Sequence, residues 1–238
     1  MAEPYLICPE SWYQGTLQPD RKKGLIIRAE SGSTPSTTRD DYWDGDIPWL
    51  TPKEITRLGD GLYVSRTERN ITQSGLENCS AKLLPINTVM LTKRAPVGVV
   101  AVNAVPMATN QGFINFQCGE RLRPLYLAYW LRANRNYLDL VANGSTYPEL
   151  YGSDLFEFEI AVPSINEQDQ IIDIISALQF VTLLGSPLEQ SAVSSDDMIA
   201  IQQQNRRLSA ISDTILPLLL SGKLDVSQVV TQFSKRQR

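Results

Sequence analysis

A chain of 238 residues with 42% apolar and 20% charged content can bury one large core or two small ones, which excludes wholesale disorder. No apolar run approaches the roughly 20 residues that a membrane helix needs. The formal net charge of −4 argues against a generally basic nucleic-acid binder, because 16 basic residues face 18 acidic ones up to residue 165, and 6 face 8 after it.

In chain order, residues 1–23 read as irregular, with Pro4, Pro9 and Pro19 and a small basic cluster at Arg21-Lys22-Lys23. The run from Gly24 to Ala29 predicts a short buried strand. Residues 31–48, rich in Ser, Thr, Pro, Asp and Gly, predict a loop carrying Tyr42 and Trp43, with 47–50 extended because a residue before proline is pushed out of the helical region. Thr51-Pro-Lys-Glu-Ile is a helix start: Thr51 as cap, Pro52 at the first position and Glu54 closing a capping box. A short strand at 63–65 and a short helix over 67–74, stopped by Gly75, follow. Strands are then predicted at 82–84, 88–92 and 97–103 from β-branched enrichment between Pro85, Asn87 and Pro96, and at 112–117 from period-two alternation. Pro124 opens a helix to about Val141 with an apolar stripe, which Asn143-Gly144 ends. A short helix at 148–151 and a strand at 156–162 complete an α+β domain with a strand-rich core, expected to span 1–165.

Beyond Pro163 the texture becomes helical, and 166–238 reads as a separate region. Asn166 is the expected cap of a helix carrying Ile171, Ile174, Ile175, Leu178 and Val181 on one stripe, broken at Gly185-Ser-Pro187. A second helix from about Ser195 sets Ile201, Leu208 and Ile215 seven apart, with Ile211 and Leu218 at the alternate positions and Gln204 as one polar member. Pro217 predicts a kink or a fresh start, and Gly222 a stop. Two such helices, with no sheet left to cover, read as a spacer or dimerisation stalk.

Chemistry-bearing motifs are few. The sequence has no histidine, so the commonest general base and metal ligand is missing. Cys8, Cys79 and Cys118 form no CxxC pair, which gives neither a disulfide framework nor a zinc site. Gly59-Asp-Gly61 lacks the Lys-Ser/Thr of a phosphate loop, Pro19-Asp20 has no following Glu-x-Lys of a nuclease, and the Asn-Pro-Pro-aromatic signature of DNA methyltransferases does not occur. Met1-Ala-Glu-Pro-Tyr5 lacks the basic start and apolar run of a secretory signal, so a cytoplasmic protein is expected. The candidates that remain are groups suited to nucleic acid. Thr92-Lys93-Arg94 places adjacent cations after a strand, fit for phosphate or for bidentate guanine contact. Thr109-Asn110-Gln111 clusters side chains able to read base edges, within a polar loop of the 104–163 stretch. Lys53 lies near a helix N-terminus. Taken singly, each is more readily a solvated charge or a hydrogen-bonded turn.

Their order is distinctive. Segments 31–36, Tyr42-Trp-Asp-Gly-Asp-Ile-Pro-Trp-Leu-Thr-Pro-Lys-Glu-Ile55, 71–76, 82–90, Ala108-Thr-Asn-Gln-Gly112, Asn143-Gly-Ser-Thr146, Ile160-Ala-Val-Pro163, Glu167-Gln168 and Leu218-Leu-Leu-Ser-Gly-Lys-Leu224 together resemble the DNA-specificity subunits of type I restriction-modification systems over nearly the whole chain. The resemblance implies an α/β target-recognition domain that reads one half of a split double-stranded DNA site, and a long-helix spacer that docks methyltransferase subunits. It also implies that this subunit is not catalytic and binds no cofactor. S-adenosylmethionine, ATP and magnesium would belong to the modification and restriction (endonuclease) partners. Base-reading side chains would lie near Lys53, Thr92 to Arg94, Thr109 to Gln111 and the Asn143 to Tyr147 loop with Ser145, Thr146 and Tyr147. Family members commonly carry two recognition domains and two helical regions. This chain has one of each, so a homodimer or a second specificity chain would supply the other half. An interaction-only decoy that binds methyltransferase without reading DNA, and an unrecognised enzyme, remain as alternatives.

Overall fold

The computed structural model describes residues 9–58, 61–142, 149–184 and 214–224. The chain divides into two compact units, Tyr13–Val162 and a second that joins residues up to Trp12 with those from Pro163 onward.

The first unit is a mixed β and α structure. Its central sheet has five strands in the order β2 (Ile26–Ser31), β9 (Phe113–Cys118), β6 (Val89–Thr92), β7 (Val100–Asn103) and β4 (Tyr63–Val64). β6 pairs antiparallel with both β7 and β9, and every residue of β6 and β7 is buried. Helix α3 (Pro124–Ala133) packs on β6 and β7 from one side. On the other side Met90, Ala101 and Phe113 join Leu50, Met107 and Ile55 of α1 (Pro52–Ile55) in a single apolar cluster. The period-two expectation for 112–117 fails for that reason: Phe113 to Phe116 are all buried, since both faces of the strand are covered.

A smaller sheet, β5 (Arg69–Ile71), β3 (Trp43–Leu50) and β8 (Ala108–Thr109), builds a second cluster from Tyr42, Trp43, Trp49, Ile71, Ala81 and Ala108. Thus 43–46 is strand rather than loop and runs on into 47–50, which is extended as expected, with a register shift between Trp43 and Ile47 and Asp44 at φ 59°. The predicted helix over 67–74 is a correction: 69–71 is strand, and helix α2 (Gln73–Glu77) starts afterwards, capped by Thr72, whose Oγ1 accepts from Gly75 N–H at 3.0 Å. Gly75 does not stop a helix but lets one pass the backbone of Tyr42, where a Cβ would lie 2.4 Å from the carbonyl oxygen. The box at Thr51 forms as expected, with Thr51 N–H donating to Glu54 Oε2 at 2.8 Å.

The stretch from Pro124 is two helices, α3 and α4 (Arg135–Ala142), because Asn134 turns its side chain back onto the Trp130 carbonyl at 2.8 Å. The helix expected at 148–151 lies instead at α5 (Gly152–Phe156), so the last strand, β10, is shorter (Glu159–Val162). β10 pairs antiparallel with β1 (Tyr13–Thr16), a strand inside the segment read as irregular.

In the second unit α6 spans Ile165–Leu184, and its cap is Ser164, not Asn166. Ser164 N–H donates to Glu167 Oε2 at 3.0 Å and Glu167 N–H donates to Ser164 Oγ at 3.4 Å, a reciprocal box at the start of the helix. Ile171 and Ile175 are buried, as is Gln168, whose Nε2 donates to the Pro163 carbonyl at 2.9 Å. Residues 214–220 are helical through Pro217, with Ile215 and Leu218 half-buried. The stretch ends at Gly222 with φ 67°, where Leu224 N–H reaches the Leu218 carbonyl at 3.1 Å. The side chain of Leu178 and the seam positions Ile201, Leu208 and Ile211 lie outside the described residues.

Candidate nucleic-acid interface

One edge of the first unit gathers the polar candidates, and backbone pairing explains how. β3 and β8 run parallel with Leu50 opposite Thr109, and Asn110 N–H continues the ladder to the Leu50 carbonyl at 3.0 Å. β6 and β9 meet with Thr92 opposite Phe113, and Lys93 N–H donates to the Gly112 carbonyl at 2.8 Å. Four strand ends therefore deliver the α1 turn, the 110–112 turn and Lys93-Arg94 to the same place.

The 32–38 loop is fastened alongside. Ser33 N–H donates to the Thr109 carbonyl at 2.9 Å, and the indoles of Trp49 and Trp43 donate to the carbonyls of Ser33 and Ser36 at 3.0 and 3.1 Å. Gly32 is required there, since a Cβ would lie 2.1 Å from the Thr109 carbonyl oxygen. Thr34 Oγ1 donates to Gln111 Oε1 at 2.6 Å, which leaves the Gln111 amide nitrogen directed away from that bond. Arg69 lies with its guanidinium carbon 3.5 Å from the centroid of the Trp43 ring, which is edge-on to Trp49 at 5.1 Å.

The two threonines are corrections to the candidate set. Thr92 is fully buried; its Oγ1 donates to the Pro96 carbonyl at 2.5 Å and accepts from Val99 N–H at 2.9 Å. Thr109 is buried too and accepts from Asn115 Nδ2 at 2.8 Å. Both hydroxyls hold strand ends in place and face no solvent. Asn110 is half-buried, with Oδ1 accepting from Gly112 N–H at 2.8 Å, so its amide carbonyl shapes the turn while the nitrogen is the group left to donate. Lys53 and Gln111 are exposed. Ser145, Thr146 and Tyr147 lie outside the described residues.

Lys93 and Arg94 are not two independent cations. Glu149, which no sequence signal marks, pairs with both: its Oε1 is 3.4 Å from Lys93 Nζ and 3.1 Å from Arg94 Nε, and the backbone is bridged there by Leu150 N–H to the Lys93 carbonyl at 2.8 Å. Burial pushes the Glu149 carboxyl up, but the hydrogen bonds and charges of Arg94 and Lys93 outweigh that and hold it below its ordinary value. The side chain of Arg94 remains half exposed at 51%, whereas Lys93 is at 19%, so Arg94 is the one free to reach outward. At the rim of the 32–38 loop Arg39 forks onto Asp41 at 2.8 and 2.7 Å, which lowers that carboxyl and commits the arginine to its own loop.

The arrangement offers an exposed amide, an amide nitrogen, a lysine and a half-exposed arginine along one edge: donors suited to phosphate and to the groove edges of bases. Among the described residues no cluster of His, Cys, Asp and Glu is fit to hold a metal ion.

Comparisons with known proteins bear on what such an edge serves. A family model described as "Type I restriction modification DNA specificity domain" matches residues 22–184, more than half of the chain. The chain is 45% identical over 153 residues to the MjaIX type I restriction enzyme specificity subunit of Methanocaldococcus jannaschii, covering 63% of this chain and 35% of that one. It is 30% identical over 173 residues to the EcoR124I/EcoR124II specificity subunit of Escherichia coli, covering 70% and 41%. Among solved structures, the fold is similar to a chain from a study of complex assembly and conformational transition of the type I R-M system, with a TM-score of 0.58, 21% identity and coverage of 93% and 49%. It is also similar to the HsdS subunit from Thermoanaerobacter tengcongensis, with a TM-score of 0.53, 19% identity and coverage of 93% and 48%. The matches thus cover less than half the length of these relatives.

Proposed function

The chain belongs to the family of type I restriction-modification DNA-specificity domains, and from that membership we propose that its first unit reads one half of a split duplex DNA site on behalf of partner subunits. It is a specificity component, not a catalyst. The observation that supports the reading is the delivery of Arg94, Lys93, Asn110, Gln111 and Lys53 to one edge by four strand ends, three of them on turns locked by backbone hydrogen bonds. Preorganised donors lose little freedom on binding, and base-edge discrimination depends on such fixed geometry.

In this reading the helical region from α6 onward spaces the half-sites and docks a modification (methyltransferase) subunit, with a restriction (endonuclease) subunit joining the complex. S-adenosylmethionine, ATP and magnesium serve those partners. The second half-site is read by another copy of this chain or by a second specificity segment. A weakly acidic chain is compatible with DNA binding when partners embrace the duplex and supply phosphate contacts.

The test is selection from random duplex DNA by the chain in complex with its co-encoded methyltransferase. An interrupted palindrome is the expected outcome for a symmetric pair, and an asymmetric split site for two different specificity segments. A demonstrable complex that enriches no sequence overturns the reading in favour of an interaction-only subunit.

A further inference from the structure

At the end of the β2–β9 pair remote from the reading edge lies a concavity of about 680 Å³, whose lining includes Tyr13, Arg21, Lys22, Lys23, Glu120 and Arg121. Two tight turns build it. Gly24 N–H donates to the Asp20 carbonyl at 3.0 Å and Lys22 N–H to Asp20 Oδ1 at 2.9 Å, a turn that presents three consecutive cations. Across from it, Gly119 N–H donates to the Leu25 carbonyl at 2.7 Å and Leu122 N–H to the Gly119 carbonyl at 3.1 Å, which fixes the turn carrying Glu120 and Arg121. The Arg121 guanidinium carbon stands 5.4 Å from the centroid of the half-exposed Tyr13 ring.

The hollow concentrates positive charge on consecutive residues. Arg28, Arg39, Arg57, Lys93 and Arg94 each have an acidic partner. Among the described residues Arg21, Lys22 and Lys23 make no ion pair, and all three are exposed. Four cations against one carboxylate line the hollow of a chain whose net charge is −4. Like charges held together in a concave wall repel one another, and a bound polyanion relieves that repulsion. A duplex backbone is a convex ridge of evenly spaced phosphates, which suits a hollow of this size better than it suits the flat face of an acidic protein.

The position fits as well. The reading edge adjoins Ser31 and Phe113, whereas the hollow adjoins Ile27 and Cys118, at the other end of the same strand pair. Five residues of strand at roughly 3.3 Å each set the two about 17 Å apart, the length of about five base pairs at roughly 3.4 Å per step.

We propose that this hollow is a phosphate-binding site that grips the backbone of duplex DNA outside the bases read at the opposite edge. The inference rests on the DNA-reading assignment above. The test uses the full chain with its methyltransferase partner, as parent and as the combined Arg21→Gln, Lys22→Gln, Lys23→Gln variant, titrated across a salt series against the selected duplex and a scrambled one. The variant is expected to lose about tenfold or more in affinity for both duplexes alike. Its slope of log affinity against log salt should become shallower by about 0.9 per phosphate contact removed, with the selected-to-scrambled ratio unchanged. An unchanged slope and affinity overturn the proposal, and so does a variant that loses the ratio at an unchanged slope. Thermal stabilisation of the parent by inorganic pyrophosphate, lost in the variant while the DNA slope stays put, would assign the hollow to a small phosphate compound and overturn the DNA assignment. A parent that binds both duplexes equally overturns the reading assignment, and the slope comparison then decides the hollow by itself. A parent that binds no duplex overturns both.

Discussion

Glu149 governs how much positive charge the reading edge can offer. Arg94 and Lys93 share its carboxylate, and they hold it ionised against the opposing effect of burial. A carboxyl whose value is depressed in the folded protein contributes stability above its unfolded value and loses it as pH falls through the folded one, so the triad is intact throughout the neutral range. Glu149→Gln should release both cations. We expect tighter binding to scrambled duplex and a steeper salt dependence, with a stability cost of about 0–1 kcal/mol for a pair with a solvated member, measured by salt titration and chemical denaturation. Weaker binding would show instead that the carboxylate poises Arg94 for contact. Arg94→Ala should cost about 1–3 kcal/mol of cognate binding if the guanidinium reads a guanine, and equal binding by variant and parent would remove it from the set of readers. At this scale the sequence marked the cations but not their partner, because the Arg94–Glu149 contact is made between segments far apart in the chain. It also counted Thr92 and Thr109 as readers. A hydroxyl at a strand end looks the same in sequence whether it faces solvent or, as here, satisfies buried backbone and side-chain groups.

Local signals with a mechanism of their own carried over to the elements. The Thr51 box, the stop at Gly222 and the strands β6, β7 and β9 stand where propensity and capping chemistry put them. Elements that depend on distant partners did not. β1 is four residues without apolar alternation, and only β10 makes it a strand. Residues 69–71 were drawn from a helical pattern into a strand by pairing with β3. The 32–38 loop lies against the reading edge, and its close seating requires a glycine at position 32. Gly32→Ala would drive a methyl into the Thr109 and Asn110 carbonyls, which are backbone atoms that cannot swing aside. The expected outcome is a loss of about 1–3 kcal/mol in denaturant unfolding, together with weaker sequence preference as the loop lifts from Gln111. Parent-like stability and selection would show that the loop is not seated on the 109–111 turn in solution.

For the whole molecule, the division expected from the change of texture after Pro163, 1–165 followed by a helical 166–238, differs from the compact units, which group the residues up to Trp12 with those from Pro163 onward; the helical arm and its heptad seam remain sequence-based expectations. A charge in its middle, Leu208→Asp, should separate paired arms, since an unpaired carboxylate cannot stay buried between helices. Halving of the solution mass, or loss of the second specificity segment, is the expected result by light scattering. An unchanged mass would place the seam within one chain. The same variant separates the two functional readings, because a reader split from its other half keeps half-site affinity while losing the demand for a fixed interval between half-sites.

The pairing of β1 with β10 has a consequence for replacing what lies between them. The reader begins and ends on neighbouring antiparallel strands, with Tyr13 opposite Val162. A module whose two ends leave side by side can be cut out and replaced by another of different internal sequence, provided the new one brings its ends to the same doorway. On the proposed function, exchanging the unit between these two strands would change the target while leaving the points of attachment as they are.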